Sequence, residues 1–251
     1  MHFLRSRSVA VLLAFVVSAL ASVPAVVAQE PRLSKEEIEK IVRDYLLENP
    51  EVLAEAFKRL QQRQSASAAM RSKQAIHDHR QALFADQASP IEGNAQGKVT
   101  IVEFFDYRCV HCRSVASTID QILSSNKSVR VIYKNFPVLG EPSVLAARAA
   151  VAAQQQGGWP KLHRAMLAFN GDFTLDALLA LGSSVGLDSA KLKTDMMSSE
   201  TDRALQANLT LAAALGLDAT PSFVIGDRVV RGAPTPEAFR ALVEEEAARA
   251  K

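Results

Sequence analysis

The sequence predicts an α/β fold that has a helical extension in front of it and a helical insertion within it. Two apolar runs rich in β-branched and aromatic residues, at 98–107 and 129–136, are typical of buried strands. An Ala- and Leu-rich stretch over about 138–217 contains no convincing strand and is interrupted by glycines, which predicts several consecutive helices. The third observation is an apolar stripe at helical spacing within residues 29–62.

The composition is that of a globular protein. The chain has 251 residues, of which 48% are hydrophobic and 22% are charged, so one or two domains are expected. The two cysteines are too few for a disulfide-stapled scaffold or a four-cysteine zinc site. The formal net charge is only +2, so nucleic acid is not expected as a partner.

Residues 1–28 have the three-part pattern of a secretory signal. Two arginines form a basic start, an apolar run follows over 9–21, and Ala28 is a small residue where a signal peptidase would cut. The alternative is an uncleaved membrane anchor, which Pro24 and the small residues after it disfavour. We expect cleavage before Gln29 and export to the periplasm, a compartment in which disulfides persist.

Residues 29–62 are expected to form short amphipathic helices. Ser34 and Glu37 have the spacing of a capping box, and Asn49 followed by Pro50 predicts a second helix start. Two such helices cannot bury a core alone, so they pack either on copies of themselves or on the main domain. We favour the first arrangement, in which this segment mediates oligomerisation.

The rest of the chain divides into a connector and a main domain. Residues 63–92 are polar and begin with a tract rich in Gln, Ser and Ala, which predicts a solvated helix or a flexible connector. The main domain is expected over 93–251. It ends with two short strands, at 221–225 and 228–232, that are joined by a tight turn and followed by a helix over 236–250.

The two cysteines, Cys109 and Cys112, lie at the junction between the first predicted strand and the next helix. A disulfide between them closes a very small loop and removes little entropy from the unfolded chain, so it would be a poor staple. A Cys-x-x-Cys at such a junction is the thioredoxin-like redox arrangement. The helix N-terminus favours a thiolate, which predicts Cys109 as the exposed attacking sulfur and Cys112 as the buried resolving one.

His111 lies between the two cysteines and adds to this chemistry. By donating to the Cys109 thiolate or by carrying positive charge, it favours the reduced pair and makes the disulfide more oxidising. The alternative for the cysteines is half of a zinc site that histidines complete. Because only five histidines exist and His2 leaves with the signal, we expect no metal site as the main role.

Three separated segments resemble the DsbA-like proteins of the thioredoxin fold. Residues 102–112, Val-Glu-Phe-Phe-Asp-Tyr-Arg-Cys-Val-His-Cys, are similar to that family's active-site signature. Residues 134–140, Lys-Asn-Phe-Pro-Val-Leu-Gly, resemble the segment after its second strand, and 219–224, Ala-Thr-Pro-Ser-Phe-Val, resemble the loop that carries its cis-proline. Residues 38–52 are similar to the subgroup that includes ScsC, the copper-sensitivity-suppressor proteins.

The resemblance implies a thioredoxin-like fold with an inserted helical domain, and it implies roles for particular residues. Pro221 would be cis and lie beside Cys109, and the backbone of Thr220 would pair with an extended substrate segment. Glu103 would be the buried acid that relays protons to the resolving cysteine; the alternative is a partly solvated carboxylate at a strand end. Val110, on the substrate side, stands where the family's oxidase usually has Pro, so the resemblance assigns no redox potential.

These features predict an exported thiol–disulfide oxidoreductase, in particular a protein disulfide isomerase or reductase that acts on unfolded or misoxidised proteins. No cofactor is expected beyond the redox pair itself, and Asp106 and Arg108 are expected to shape the rim of the site. In the ScsC subgroup the N-terminal helices mediate trimerisation, so the resemblance implies a homotrimer. An isomerase must be kept reduced, which requires a membrane thiol–disulfide reductase of the DsbD or ScsB kind.

Three alternatives remain open. The first is a DsbA-like dithiol oxidase that introduces disulfides. The second is an envelope protein that sequesters copper, because soft thiolates suit Cu(I). The third is a redox-inert interaction protein that has kept the fold, which the intact Cys-x-x-Cys, His111 and Pro221 disfavour.

Overall fold

The computed structural model describes residues 33–249, so the predicted signal over 1–28 lies outside the described residues. The chain forms two compact units, one up to Phe57 and one from Lys58 onwards. Within 33–249, no helix combines the length and the apolar character needed to cross a membrane.

The N-terminal helix α1 spans Lys35–Glu48 and begins as the sequence predicts. The Ser34 N–H donates to Glu37 Oε2 at 2.8 Å, and the Glu37 N–H donates to Ser34 Oγ at 3.2 Å, which completes the capping box. At the other end, Asn49 donates to the carbonyl oxygen of Tyr45 through its backbone N–H and through its side chain. Helix α2 then starts at Pro50, as predicted, because proline lacks the N–H that a first helical position leaves unpaired.

The predicted connector is helical and merges into the second unit. Helix α2 spans Pro50–Asp78, α3 spans Arg80–Phe84, and a short strand β1 spans Ile91–Gly93. The predicted domain start at residue 93 therefore lies at the end of β1. The side chains of Ile76 and Leu83 are buried in a core cluster with Val102, so residues well before 93 belong to the packed unit.

Five strands form one mixed sheet in the order β1-β3-β2-β4-β5. The strands that follow β1 are β2 (Val99–Phe105), β3 (Val129–Asn135), β4 (Ser222–Ile225) and β5 (Arg228–Arg231). β2 is central; it pairs parallel to β3 and antiparallel to β4. Its alternate residues enter two core clusters, one with Ile101 and Phe105 and the other with Val102 and Phe104, which explains its unbroken apolar sequence.

Seven helices complete the second unit: α4 (Val110–Ser125), α5 (Glu141–Gln155), α6 (Trp159–Ala168), α7 (Leu175–Ser184), α8 (Ser189–Met196), α9 (Ser199–Ala214) and α10 (Pro236–Arg249). Helices α5–α9 form the predicted insertion. Thr174, Asp188 and Ser198 each accept a hydrogen bond from the N–H three residues ahead, which caps α7, α8 and α9. All six alanines of α5 are buried, and such small side chains let neighbouring helices approach closely.

Candidate active site

Both cysteines lie where β2 leads into α4. Cys109 is the N-cap residue of α4 with extended backbone, and Cys112 lies one turn along, facing the core. Both are free thiols. The expectation that Cys109 is exposed is wrong in this state, because its residue surface is only 6% accessible, against 2% for Cys112. The two residues between the cysteines, Val110 and His111, are exposed in the first turn of α4.

The loop before β4 covers Cys109. The Cys109 thiol donates to the carbonyl oxygen of Thr220 at 3.3 Å, and the peptide bond between Thr220 and Pro221 is cis. The Ser222 hydroxyl donates to the carbonyl oxygen of Ala219 at 2.7 Å, which closes this loop on itself. The structure therefore brings together Cys109, Thr220 and Pro221, as the resemblance implies.

Glu103 lies on β2 and is fully buried, so the alternative of a partly solvated carboxylate at a strand end is wrong. Burial disfavours the charged form and raises the pKa of Glu103 to about 8. The pKa of Cys112 is also raised, first by burial and then by the negative charge of Glu103. The two groups are thus electrostatically coupled, and ionisation of one opposes ionisation of the other.

A small cavity of about 20 Å³ connects Glu103 with Cys112. Its wall also includes Tyr133 from β3 and His163 from α6. A volume of roughly 10–15 Å³ holds one water molecule, so a single water fits between the two acidic groups. Burial lowers the pKa of His163 to about 3, so His163 is neutral, with its Nδ1 2.9 Å from the hydroxyl of Tyr107. Sequence reasoning missed Tyr133 and His163, because each is simply a residue on an apolar strand or helix face.

Asp106 connects the active-site loop, residues 106–109 between β2 and α4, to the segment after β3. Its buried carboxylate accepts from the Arg108 N–H at 2.8 Å, the Val138 N–H at 2.9 Å, the Leu139 N–H at 3.1 Å and the Ser143 hydroxyl at 2.8 Å. Arg108 in turn donates to the carbonyl oxygen of Leu139 at 2.7 Å. The exposed apolar side chains of Val138 and Leu139 are held beside the active-site loop by these contacts.

Over the stretch from residue 33 to 249, no three His, Cys, Asp or Glu side chains are grouped so that they could hold a metal ion. The structure brings together five of the predicted site residues: Glu103, Cys109, Cys112, Thr220 and Pro221. The other two, Val110 and His111, are exposed at the surface beside them.

The family model described as thioredoxin matches residues 85–245. The chain belongs to the thioredoxin family. A second model, described as the N-terminal domain of the copper resistance protein ScsC, matches residues 35–67, which include α1. The fold is thioredoxin-like, and the predicted resemblance to ScsC-like thioredoxin-fold oxidoreductases is confirmed.

Solved structures are similar over most of the chain. A thioredoxin-like oxidoreductase from Silicibacter pomeroyi is 37% identical, with a TM-score of 0.65, over 67% of this chain and 98% of that chain. A linker-deleted mutant of Proteus mirabilis ScsC is 27% identical, with a TM-score of 0.68, over 88% of this chain and 99% of that one. The thiol-disulfide exchange protein alpha-DsbA2 from Wolbachia pipientis is 26% identical, with a TM-score of 0.66, over 71% of this chain and 97% of that one.

Curated relatives are much longer than this chain. A stretch of 155 residues is 24% identical to the Na⁺/H⁺ antiporter NhaA 1 of Salinispora arenicola, covering 61% of this chain and 24% of the antiporter. This chain thus matches about a quarter of the length of those relatives.

Proposed function

We propose that this chain is a thiol–disulfide oxidoreductase that reduces and isomerises disulfides in misoxidised proteins. The observation that supports the proposal most is the arrangement of Cys109, whose thiol lies at the start of α4 and against the backbone of Thr220. A thiolate at a helix start is stabilised by the unpaired N–H groups of the first turn. Cys109 is therefore the attacking sulfur.

The reaction is a pair of thiol–disulfide exchanges. The Cys109 thiolate attacks one sulfur of a substrate disulfide, the substrate S–S bond breaks, and the other substrate sulfur leaves as a thiolate. In isomerisation, a substrate thiolate then attacks the mixed disulfide and releases Cys109. In reduction, the Cys112 sulfur attacks Cys109 and expels the substrate thiolate. The substrate thereby gains two electrons, and the cysteine pair that supplied them becomes a Cys109–Cys112 disulfide.

Glu103 serves the second step as a general base. Cys112 attacks as a thiolate, and burial opposes its ionisation. The Glu103 carboxylate takes the Cys112 proton, through one water in the cavity that connects them. Because the raised pKa of Glu103 lies near neutrality, it both accepts and releases this proton readily.

Substrate binding uses backbone and apolar contacts. An extended substrate segment pairs with the backbone at Thr220, next to the attacking sulfur. Val110, Val138 and Leu139 expose apolar side chains around the active-site loop. Such a surface suits unfolded or misfolded proteins, whose own apolar side chains are accessible.

The N-terminal helices are proposed to form a homotrimer. They expose apolar side chains: Leu33, Ile38, Ile41, Val42, Tyr45, Leu47, Val52, Leu53 and Phe57. So many exposed apolar side chains within two helices are typical of an interface between copies. Several active sites in one assembly suit repeated engagement of a single misfolded chain.

Export and reduction complete the proposal. Residues 1–28 are proposed to be a cleaved signal that directs the protein to the periplasm. Each reductive turnover leaves the Cys109–Cys112 disulfide. A membrane thiol–disulfide reductase of the DsbD or ScsB kind would restore the dithiol.

Two other functions are each favoured by one observation. The exposed His111 between the cysteines favours a strong oxidant, and hence a dithiol oxidase. The adjacent thiols and the match to a copper resistance protein's N-terminal domain favour Cu(I) sequestration. The oxidase needs no membrane reductase, whereas Cu(I) sequestration requires both cysteines to stay reduced.

The proposal is tested by two ribonuclease assays run side by side with the purified mature protein. In the first, disulfide-scrambled ribonuclease is reactivated; in the second, reduced ribonuclease is oxidised. We expect strong reactivation and weak oxidation. Rapid oxidation without reactivation would identify an oxidase, and inactivity in both assays together with tight Cu(I) binding would identify a sequestration protein.

A further inference from the structure

The cavity beside Glu103 reaches the surface at an ion pair that the reaction described above does not use. Arg164 Nη2 lies 2.7 Å from Glu92 Oε1, and the Tyr133 hydroxyl donates to Glu92 Oε2 at 3.1 Å. All three side chains line the cavity that also includes Glu103 and Cys112. The Glu92 side chain is 11% exposed and that of Arg164 is 58% exposed, so Glu92 lies between a buried hydroxyl and a solvated guanidinium.

Titratable and charged groups face Glu103 from every element around the cavity. They are Glu92 on β1, Tyr133 on β3, Cys112 and Asp120 on α4, and His163 and Arg164 on α6. His163 does not accept a proton near neutral pH, because burial keeps it neutral. Tyr133 stays protonated, because burial, followed by the charges of Glu103 and Glu92, raises its pKa. Among these groups, Glu92 is the carboxylate that is hydrogen-bonded inside the cavity and also paired at its mouth.

We propose that Glu92 carries protons between Glu103 and solvent, with the Tyr133 hydroxyl as the bridge and Arg164 holding the Glu92 carboxylate at the mouth. Glu92 is thus a positioning and proton-transfer residue that acts through Glu103. The inference rests on the proposed function, because only the resolving step requires Glu103 to take up a proton.

The proton is conserved through three transfers. First, the Cys112 thiol gives its proton to the Glu103 carboxylate and becomes a thiolate, which attacks Cys109. Second, the protonated Glu103 gives a proton to the Glu92 carboxylate, while Tyr133 accepts one proton and donates another. Third, Glu92 releases the proton to water at the surface, where Arg164 restores the ion pair. No electrons move in these three transfers; they move only in the sulfur exchange.

A merely structural role for the same ion pair makes a different prediction. If the contact between Glu92 and Arg164 only joined β1 to α6, its loss would lower stability and leave proton transfer unaffected. A proton-transfer defect has a separate signature, since small acids and bases in the buffer replace a missing relay and raise the rate in proportion to their concentration.

The test uses the reduced mature protein and an aromatic disulfide, 5,5′-dithiobis(2-nitrobenzoate), and the reaction is followed by stopped-flow absorbance. The first thionitrobenzoate released reports attack by Cys109, and the second reports resolution by Cys112. At pH 7 we expect Glu92→Gln to leave the first phase unchanged and to slow the second at least about tenfold. Added imidazole should restore the second phase in proportion to its concentration, and Tyr133→Phe should behave like Glu92→Gln.

Glu245→Gln is the matched control, since it removes a carboxylate paired with Arg228 on β5, the edge strand opposite β1. A second phase in Glu92→Gln that equals the wild-type rate, or one that is slow but insensitive to imidazole, would overturn the inference while leaving the proposed function intact. Loss of the first phase in the wild-type protein would instead overturn the proposed function, and with it this inference.

Discussion

The thiol of Cys109 donates a hydrogen bond of 3.3 Å to the carbonyl oxygen of Thr220, a residue 111 positions later in the chain. Sheet register produces this contact. β2 and β4 pair antiparallel with Phe104 opposite Ser222, so the C-terminal end of β2 and the N-terminal end of β4 lie at the same end of the sheet. The proposed attacking sulfur and the proposed substrate-binding backbone are thus placed together by the central strand pair.

Asp106 should be the main stabilising residue of the active-site rim. Asp106→Ala leaves three N–H groups and one hydroxyl without their acceptor, in a buried position. We expect it to lower the free energy of unfolding by about 3 kcal/mol, and Asp106→Asn to lower it by less, because an amide oxygen still accepts. Denaturant titration measures both. Asp172→Ala, an exposed position, is the control, and a loss below about 0.5 kcal/mol in Asp106→Ala would refute this role.

Glu103 should make stability fall as pH rises. Its carboxyl has a folded-state pKa of about 8 against a usual value of 4.5, so the folded state keeps a proton that the unfolded state loses. The contribution of this proton to stability is complete below pH 4.5 and is lost as pH rises through 8. Glu103→Gln should therefore be more stable than wild type at pH 8, by on the order of a few kcal/mol, and should lose this advantage near pH 4.5.

Urea titrations at several pH values under reducing conditions measure this difference. Glu244→Gln on α10, whose side chain is exposed, is the matched control. If the stability difference between Glu103→Gln and wild type is the same at pH 5 and pH 8, then the carboxyl of Glu103 does not hold its proton in the folded state.

The contributions of Lys134 and Asp86 to the free energy of unfolding should be strongly coupled. The Lys134 ammonium is 1% exposed and lies 2.6 Å from the Asp86 carboxylate, whose side chain is 33% exposed. Asp86→Ala leaves a buried ammonium without its partner and should cost about 3 kcal/mol of unfolding free energy. Lys134→Met with Asp86→Ala should cost less than the sum of the single changes. Additive costs in the double-mutant cycle would contradict this account.

Removal of the N-terminal unit should abolish oligomerisation and leave the reaction with small disulfides unchanged. A chain that begins at Lys58 retains the packed unit with both cysteines. We expect it to be monomeric by light scattering and to react with small disulfides at the wild-type rate. Its reactivation of scrambled ribonuclease should fall about tenfold or more, because avidity is lost. A truncated chain that still self-associates would show that these helices do not mediate assembly.

The parts of the fold that local sequence determines could be predicted. The capping box at Ser34, the restart at Pro50 and the central strands follow from side-chain chemistry and apolar patterning. The short strand β1 could not, because Ile91-Glu92-Gly93 has too few residues for a periodic pattern and pairs with β3 only through tertiary packing.

The candidate site also has features that could be predicted from the sequence and features that could not. The Cys-x-x-Cys, Glu103 and Pro221 could be found from motifs and their order. The burial of Cys109 could not, because the loop that covers it comes from a distant part of the chain. The partners of Glu103 in the cavity, Tyr133 and His163, also come from separate elements, and nothing in their local sequence marks them.

In the proposed reaction, Cys109 attacks substrate disulfides and Cys112 resolves the mixed disulfide. Its most direct test incubates Cys112→Ser with disulfide-scrambled ribonuclease and maps any covalent adduct by mass spectrometry under non-reducing conditions. We expect an adduct through Cys109 that dithiothreitol reverses and that is absent from Cys109→Ser. No adduct in Cys112→Ser, or an equal yield in Cys109→Ser, would contradict it.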